Sequence, residues 1–414
     1  MTSSPTPNSP TPSRHRERCT RALLALGSLW CSLAWSHEES TAVPPEPGWR
    51  LGAALAVADV NASQALPSQK MGGYLLRGDS GVDRRASALE HGVIEAAWRW
   101  SPQWSAYAAA GKHDTDPAHT EAAWVRHEWT PGTDSRWSLQ AGRMRPQMGP
   151  VMTQAGHMDR FSLMPLAKRL ATDGDWIDDG VQLSTQWAAQ DWTGDTTLGL
   201  WRGQAFPGSK SASPAPSLHL GAAHGDWRAD VFAAALSPRG RGALTQSSTG
   251  AHTHNAPDCA SVQAGVLCFD GDSRLLGSSL QWQSHDWPVT VQGSYWLRDD
   301  KGALQSVNGL AAHSAKNHGG WLQALWQIRT DWELGLRSER IGARVSLDGA
   351  GASLLAQEAG LPGSAPLRRD TAMVGWQVHP DLNLSAEAGR EVQGGQVVNF
   401  AVLRLLWRFS RQGV

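Results

Sequence analysis

The sequence predicts an all-β fold, a transmembrane antiparallel β-barrel of about 16 strands with short periplasmic turns and long extracellular loops. Short segments of period-two hydrophobicity recur along most of the chain. Tryptophans also stand in pairs that bracket short polar turns, and a membrane–water interface suits the indole because its ring is apolar and its N–H is polar. We therefore expect an aromatic girdle built from Trp100/Trp104, Trp129/Trp137, Trp187/Trp192, Trp282/Trp287 and Trp326/Trp332.

Composition excludes several other classes. The 414 residues include 22 Trp but only 3 Tyr, and beyond the N-terminal region no apolar run is long enough to cross a bilayer as a helix. The formal charge of −1 gives no indication of nucleic-acid binding. A soluble β-sandwich is the structural alternative, since half-buried strands alternate in the same way. It explains neither the tryptophan pairs nor the loop lengths.

The N-terminal residues 1–36 are typical of a signal peptide. Arg14, Arg16, Arg18 and Arg21 precede the apolar stretch 22–35, which ends near a small-x-small cleavage site. We expect a short segment 37–47, a barrel over residues 48–409 and a C-terminal tail 410–414. Export and the barrel together predict the outer membrane of a Gram-negative bacterium.

The sixteen predicted strands alternate between short and long connections. The longest connections are 59–90, 144–177, 236–274 and 342–369, whereas the turns at 101–103, 225–226 and 379–381 are short. This asymmetry places the tryptophan pairs at the periplasmic interface. The strands cover residues 48–58, 91–99, 103–110, 119–128, 136–143, 178–187, 195–202, 217–224, 227–235, 275–284, 288–298, 319–328, 332–341, 370–378, 382–390 and 397–409.

The alternation within strands predicts which face meets lipid. From residue 332 onward, Trp332, Leu334 and Leu336 alternate with charged residues that include both signs. The apolar set is expected to face lipid, and the charged set to face a water-filled lumen.

The 144–177 connection follows the fifth predicted strand, and it is expected to fold inward and narrow the barrel. Opposed charges across such a constriction would select permeants by size and charge. The alternative is that these charges are solvated on an outer loop. The predicted lumen and constriction residues are Arg143, Arg145, Asp159, Arg160, Lys168, Arg169, Glu333, Arg337 and Glu339.

Potential metal ligands occur in two connections, although a passive channel needs no cofactor. Soft thioether and imidazole ligands suit copper, and a His-x-His pair could hold zinc or copper with a third ligand. The alternatives are apolar filler for the methionines and a solvated loop for the His-x-His pair. The residues are Met144, Met148, Met152, Met158, Met164 and His157 in the first connection, and His252 and His254 in the second.

Cys259 and Cys268 are the cysteines that remain after removal of the signal peptide. They lie in one predicted external loop in an oxidising compartment, which favours a local disulfide. Two free thiols are the alternative.

Several short motifs resemble a family of Gram-negative outer-membrane porin-like proteins, distantly related to phosphate-selective porins and often zinc-responsive. The matching stretches are residues 141–143, 157–166, 178–183, 269–275, 291–295 and 332–337. The resemblance implies a porin-like barrel.

The function predicted from these features is passive diffusion of small polar or ionic solutes through a porin-like channel. The expected partners are outer-membrane lipid, small solutes, the barrel-assembly machinery and two further copies in a homotrimer, with no nucleic acid. Common catalytic motifs are missing from the sequence, so no enzyme activity is expected. Two alternatives stay open: a gated metal-linked uptake barrel for zinc or copper, and an occluded barrel with a structural or adhesive role.

Overall fold

The computed structural model describes residues 43–71, 74–76, 85–113, 117–132, 134–154, 158–210, 213–245, 257, 259–361 and 365–413. The predicted signal peptide lies outside the described residues. In the described part, none of the helices is long and apolar enough to cross a membrane.

Sixteen antiparallel strands close into one barrel, as the sequence predicts. Strand β1 pairs with both β2 and β17, and each other strand of the ring pairs with its neighbours along the chain. The strands are β1 (Gly48–Ala62), β2 (Arg85–Arg99), β3 (Trp104–Lys112), β4 (His119–Trp129), β5 (Ser135–Met144), β6 (Asp178–Ala189), β7 (Trp192–Trp201), β8 (Ala215–His224), β9 (Trp227–Leu236), β10 (Arg241–Leu244), β11 (Val266–Gln283), β12 (Val289–Ser306), β13 (Gly309–Arg329), β14 (Trp332–Asp348), β15 (Leu367–His379), β16 (Leu382–Gln393) and β17 (Gln396–Gly413).

The short strand β10 is additional to the ring. It pairs with the first residues of β11, beyond the point where β9 ends, so β11 has β9 along one part and β10 along the other. Within the described residues, three short helices lie in the connections: α1 (Pro67–Lys70), α2 (Leu166–Thr172) and α3 (Ala352–Ala359).

All sixteen predicted strands are present, and the main differences concern where they end. The strands β11 to β14 continue well past their predicted outer ends, so β12 and β13 meet at a two-residue turn. The prediction of a tail over 410–414 is wrong for residues 410–413, because these residues extend β17. They pair with β1 as far as Trp49 opposite Gly413, since a closed barrel gives the last strand a partner along its whole length.

Side chains alternate between the two faces as predicted. On β14, Glu333, Arg337 and Glu339 are buried, whereas Trp332 and Leu336 are exposed. On β16, Ser385 and Glu387 face inward and Ala386 faces outward. The barrel therefore presents an apolar outer surface and a polar inner wall, which is the pattern of a membrane-spanning barrel.

The tryptophans form a band at the end of the barrel that has the short turns. The rings of Trp100 and Trp104 stack at a centroid distance of 6.1 Å, and those of Trp129 and Trp137 at 6.2 Å. Neighbouring strands add tryptophans that the pair pattern does not contain, including Trp49, Trp98, Trp227, Trp376 and Trp407.

The predicted pair Trp282 and Trp287 lies at the β11–β12 turn. Trp287 is in the turn itself and is 69% exposed. Its main-chain N–H donates a hydrogen bond to Ser284 Oγ at 3.0 Å, within the same turn. The ring of Trp282 lies 6.3 Å from that of Trp227, because register places these two residues opposite each other on β11 and β9.

Candidate functional site

The described residues of the 144–177 segment, 144–154 and 158–177, lie inside the barrel against the inner face of the wall. Five inward arginines donate hydrogen bonds to its main-chain carbonyls. We call these residues the arginine row: Arg298 on β12, Arg337 on β14, Arg369 on β15, and Arg404 and Arg408 on β17.

The arginine row holds successive carbonyls of the segment. Arg404 Nη2 is 2.5 Å from the carbonyl oxygen of Asp159. Arg337 Nη2 is 2.5 Å from that of Leu163, and Arg298 Nη1 is 2.7 Å from that of Leu170. Charged donors form the stronger class of protein hydrogen bonds, so the segment is tied to four strands.

Carboxylates on the same wall accept hydrogen bonds from the segment's main-chain N–H groups. The Leu166 N–H donates to Glu339 at 2.6 Å at the start of α2, and the Ser162 N–H donates to Glu387 at 2.6 Å. An irregular buried segment needs partners for its backbone groups, and charged inward side chains supply them here.

Apolar contacts hold the other part of the segment. The ring of Trp176 lies 6.0 Å from that of Trp201 and 6.3 Å from that of Phe232. Met148 and Met152 are buried in the same apolar cluster. Gly149 has φ +90 and lies so close to Asp230 that a Cβ atom would come within 2.5 Å of its carboxyl carbon.

The β1–β2 connection also reaches the interior. Arg169 of α2 donates hydrogen bonds to the carbonyls of Ser68 and Gln69, which belong to α1. The Ser68 N–H in turn donates to Glu391 on β16 at 2.8 Å. Two connections therefore pack on each other within the barrel.

Most of the predicted lumen charges are buried and paired in this packing. Lys168 Nζ lies 2.9 Å from Asp175, and Arg369 Nε lies 2.8 Å from Glu339. Arg160 is the more open case, with a side chain 32% exposed and 3.5 Å from Glu333. The remaining predicted residues, Arg145, Asp159, Arg169 and Arg337, also lie inside the barrel.

The prediction that Arg143 faces the lumen is wrong. It shares the outward face of β5 with Leu139 and Ala141, which are exposed. Its guanidinium lies 3.6 Å from Asp179 on the outer face of β6. Residues i, i+2 and i+4 of a strand share a face. The spacing of Arg143 from Leu139 and Ala141 therefore indicates, already in the sequence, that Arg143 faces outward.

The predicted metal ligands His157, His252 and His254 lie outside the described residues. Cys259 and Cys268 are joined by a disulfide with a Cα–Cα distance of 5.9 Å. Four of the five methionines of the segment, Met144, Met148, Met152 and Met158, are buried among apolar side chains.

A second group of polar residues, which the sequence analysis did not single out, lies on the inner wall at the loop end of β2, β3 and β4. We call it the histidine cluster: His91, His113, His119 and Glu121. Burial, reinforced by the nearby His91, lowers the pKa of His113, which follows β3, to about 3.

The arginine row and the histidine cluster were detectable only in part from sequence. Arg404 lies in a predicted strand, and its parity with Val402 and Leu406 marks it as inward. Arg369 falls in a predicted connection, so no parity applied to it. His91 and Glu121 belong to different strands, and their proximity depends on the register of three strands.

Solved structures of outer-membrane proteins share this architecture. The trimer form of OmpT from Vibrio cholerae matches with a TM-score of 0.53 and 10% identity, over 88% of this chain and 100% of that chain. The chain has the fold of an outer-membrane porin. The outer-membrane channel DcaP of Acinetobacter baumannii matches this porin fold with a TM-score of 0.52 and 9% identity, over 88% and 98% of the two chains.

Further structures agree with the porin fold. Salmonella typhi OmpF, in a complex with daunomycin, matches with a TM-score of 0.53 and 9% identity, over 88% of this chain and 98% of that chain. No protein-family model and no curated protein sequence matches the chain. The predicted location in a Gram-negative outer membrane agrees with these neighbours.

Proposed function

We propose that this protein is an outer-membrane channel through which small polar or ionic solutes diffuse passively, narrowed by the 144–177 segment. The observation that carries the proposal is a closed barrel with an apolar outer surface, a charged inner wall and a segment tied to that wall from within. A hydrated path across a membrane needs no cofactor or catalytic group.

The hydrogen bonds and ion pairs that hold the 144–177 segment to the wall determine what kind of selectivity we expect. Inward charged residues such as Arg337 and Glu339 are buried. They form an ion pair with each other and hydrogen bonds with the segment's backbone. Charges that are paired and buried exert little net field on a permeant. We therefore expect the channel to select mainly by size, with weak preference for one sign of charge.

Single-channel recording tests this proposal. The purified protein is inserted into a planar bilayer, and the reversal potential is measured under a salt gradient. We expect discrete conductance steps and a reversal potential near zero. The double variant Arg337→Gln/Arg404→Gln loosens the segment and should give larger and noisier steps.

Arg390→Gln serves as the matched control, because Arg390 is an arginine of β16 whose side chain is 63% exposed on the outer face. Its steps should equal those of the unmodified protein. A protein that is folded and inserted but conducts no current, with or without the double variant, would contradict the proposal.

A specific observation favours a second candidate, an occluded barrel with a structural or adhesive role. One apolar cluster joins Met148 and Trp176 of the segment to Trp124 on β4 and Trp321 on β13, on different sides of the barrel. Such packing could fill the lumen at this level. The absence of current in the single-channel recording would favour the occluded barrel over the channel.

We further propose a homotrimer inserted in the outer membrane by the barrel-assembly machinery. Support comes from the trimer form of the OmpT neighbour and from the outer surface of β2 to β4. There Ala96, Ala108 and Ala123 are exposed and stand in register. Small residues let barrel walls approach closely in a membrane.

A further inference from the structure

The imidazole groups of the histidine cluster converge on one carboxylate oxygen. Glu121 Oε1 lies 2.5 Å from His91 Nε2, 3.8 Å from His119 Nε2 and 3.9 Å from His113 Nε2. The ligand atoms of His91, His113 and Glu121 all lie within 4.8 Å of one another. The ligand atoms of His91, His113 and Glu121 therefore form one compact group, and His119 Nε2 lies near the same carboxylate oxygen.

Strand register produces this convergence. Gly92 is opposite Lys112 in the β2–β3 pair, so His91 and His113 come to the same level beyond it. Their rings stack at a centroid distance of 4.3 Å with an interplanar angle of 1°. His119 lies opposite Gly111 on the other side of β3.

Hydrogen bonds on the far side of two rings fix which nitrogen points inward. His113 Nδ1 is 2.7 Å from the carbonyl oxygen of Glu90, and His119 Nδ1 is 3.4 Å from that of Pro117. A carbonyl accepts a hydrogen bond, so in the neutral ring the proton lies on Nδ1 and the lone pair on Nε2. This second-sphere arrangement is typical of histidines that bind metal ions.

The wall leaves room for the cluster at Gly111. A Cβ atom on this residue would lie 2.0 Å from Glu121 Oε1 and 2.8 Å from His91 Nε2. Any side chain there would occupy the space in which the ligand atoms meet. The glycine is required by a close approach of side chains, since its φ is not positive.

We propose that the histidine cluster is a binding site for a divalent transition-metal ion of the zinc class. In a tetrahedral zinc site with bonds of about 2.0–2.1 Å, neighbouring ligand atoms are about 3.3 Å apart. The distances of His119 and His113 to Glu121, 3.8 and 3.9 Å, lie about half an ångström above that value, and the distance of His91, 2.5 Å, lies below it. The ion would take the place of the hydrogen between His91 Nε2 and Glu121 Oε1, and in the neutral ring that proton would move to Nδ1.

The exposure of the histidine cluster agrees with a site from which a metal ion can exchange with solvent. The His119 side chain is 34% exposed, whereas those of His91 and Glu121 are 1% and 4% exposed. An ion can therefore reach the cluster past His119 and bind to the buried side chains of His91 and Glu121. The second oxygen of Glu121 lies 3.4 Å from Arg145, which links the site to the beginning of the 144–177 segment.

Metal titration of the tag-free, chelator-treated protein in detergent tests the proposal. Zinc is titrated by calorimetry, and cobalt is titrated in parallel because tetrahedral cobalt absorbs strongly in the visible range. We expect one ion per chain. His119→Gln, at the partly exposed ligand, should preserve the fold and weaken binding by at least the 10- to 100-fold that loss of an outer-sphere partner costs.

Two further variants make the outcome decisive. His113→Gln should weaken binding in the same way, whereas the double variant His252→Gln/His254→Gln should bind as the unmodified protein does. The proposal is overturned if no stoichiometric binding occurs, or if His119→Gln and His113→Gln bind with unchanged affinity. Because binding is measured without current, failure here leaves the channel proposal untouched.

Discussion

At the scale of single residues, the inner wall depends on close approaches that leave no room for additional atoms. We expect Gly111→Ala to push Glu121 away from His91 and to lower the unfolding free energy by about 1–3 kcal/mol, the usual cost of overpacking. The same variant should lose metal binding. Urea unfolding in detergent, followed by tryptophan fluorescence, measures the first effect.

Gly92→Ala is the control for this prediction. Gly92 lies at the same level of the barrel on β2, and an added Cβ atom would meet only Leu55 and Leu89 at 3.7–3.9 Å. Its unfolding free energy should stay within about 0.5 kcal/mol of the original. Equal destabilisation by both variants would show that space at Gly111 has no special role.

His113 makes stability depend on pH. Its pKa falls from 6.5 in the unfolded chain to about 3 in the fold, because burial favours the neutral ring. A lowered histidine pKa has no effect on stability well above the unfolded pKa, and it destabilises the fold progressively as pH falls from 6.5 toward 3, because the unfolded chain then binds the proton more strongly. Between about pH 7.5 and about pH 4.5 the loss should reach about 2–3 kcal/mol.

The measurement compares urea unfolding of the metal-free protein with that of His113→Gln at both pH values. The variant cannot gain a proton at this position, so its unfolding free energy should fall less on acidification. If the two proteins lose the same free energy, the acid sensitivity arises elsewhere.

Residue-scale prediction from sequence succeeded where parity along one strand decides the matter. Glu333, Arg337 and Glu339 alternate with exposed apolar residues and face inward as predicted. Arg143, predicted to face the lumen, faces outward, as its parity with Leu139 indicates. Strand parity predicts the orientation of Arg143 correctly. The end of the strand lies near the membrane surface, where an outward ion pair is tolerated.

Trp287 shows a different limit of residue-scale prediction. Its spacing from Trp282 predicts that the two residues bracket a turn, but not that the ring of Trp282 contacts Trp227 on the neighbouring strand. Spacing along the chain describes only one of the two strand pairs in which β11 takes part. The ring contact depends on the register of β11 with β9, which the spacing does not contain.

At the scale of elements, the 144–177 segment is held by buried charges. Glu339 accepts hydrogen bonds from the Leu166 N–H at 2.6 Å and from Arg369 at 2.8 Å, and lies 2.8 Å from Arg337. Replacing it by glutamine removes the carboxylate next to buried Arg337 and one of the two next to buried Arg369, which keeps Glu391 at 3.4 Å. We expect Glu339→Gln to cost about 3–5 kcal/mol of unfolding free energy.

Limited proteolysis should show the same variant cut within residues 144–177 while the barrel strands resist cleavage. Asp370→Asn is the control, since Asp370 lies on the outer face with a side chain 48% exposed and pairs with Arg390. That change should cost less than about 1 kcal/mol. If residues 144–177 of Glu339→Gln resist cleavage, the buried charge of Glu339 does not hold the segment.

The sequence indicated that this connection is special but not how it is held. Its length, its position after the fifth strand and its charges predicted an inward segment. Its partners could not be predicted, since Arg404 and Asp159 are 245 positions apart in the chain. Local periodicity carries no information about contacts at such a separation.

At the scale of the whole molecule, the alanine row of β2 to β4 leads to a prediction about assembly. We expect the detergent-solubilised protein to have the mass of a trimer, and Ala108→Trp to release monomers because the indole holds the walls apart. Light scattering that separates protein mass from detergent mass measures this. Leu198→Trp is the control, because Leu198 is a large residue already 54% exposed on β7.

A monomeric unmodified protein would contradict the trimer, as would an Ala108→Trp variant that stays trimeric. Neither result affects the barrel fold, because the closed sheet provides each strand with both partners within one chain.

The sequence alone determined the barrel: the number of ring strands, their approximate ends, the faces of their side chains and most of the tryptophan band. These features follow from period-two patterning and turn residues, which act within a few positions of the chain. The tertiary structure decided which charges meet. The arginine row, the packing of two connections on each other and the histidine cluster depend on closure and register, which bring together residues that are distant in sequence.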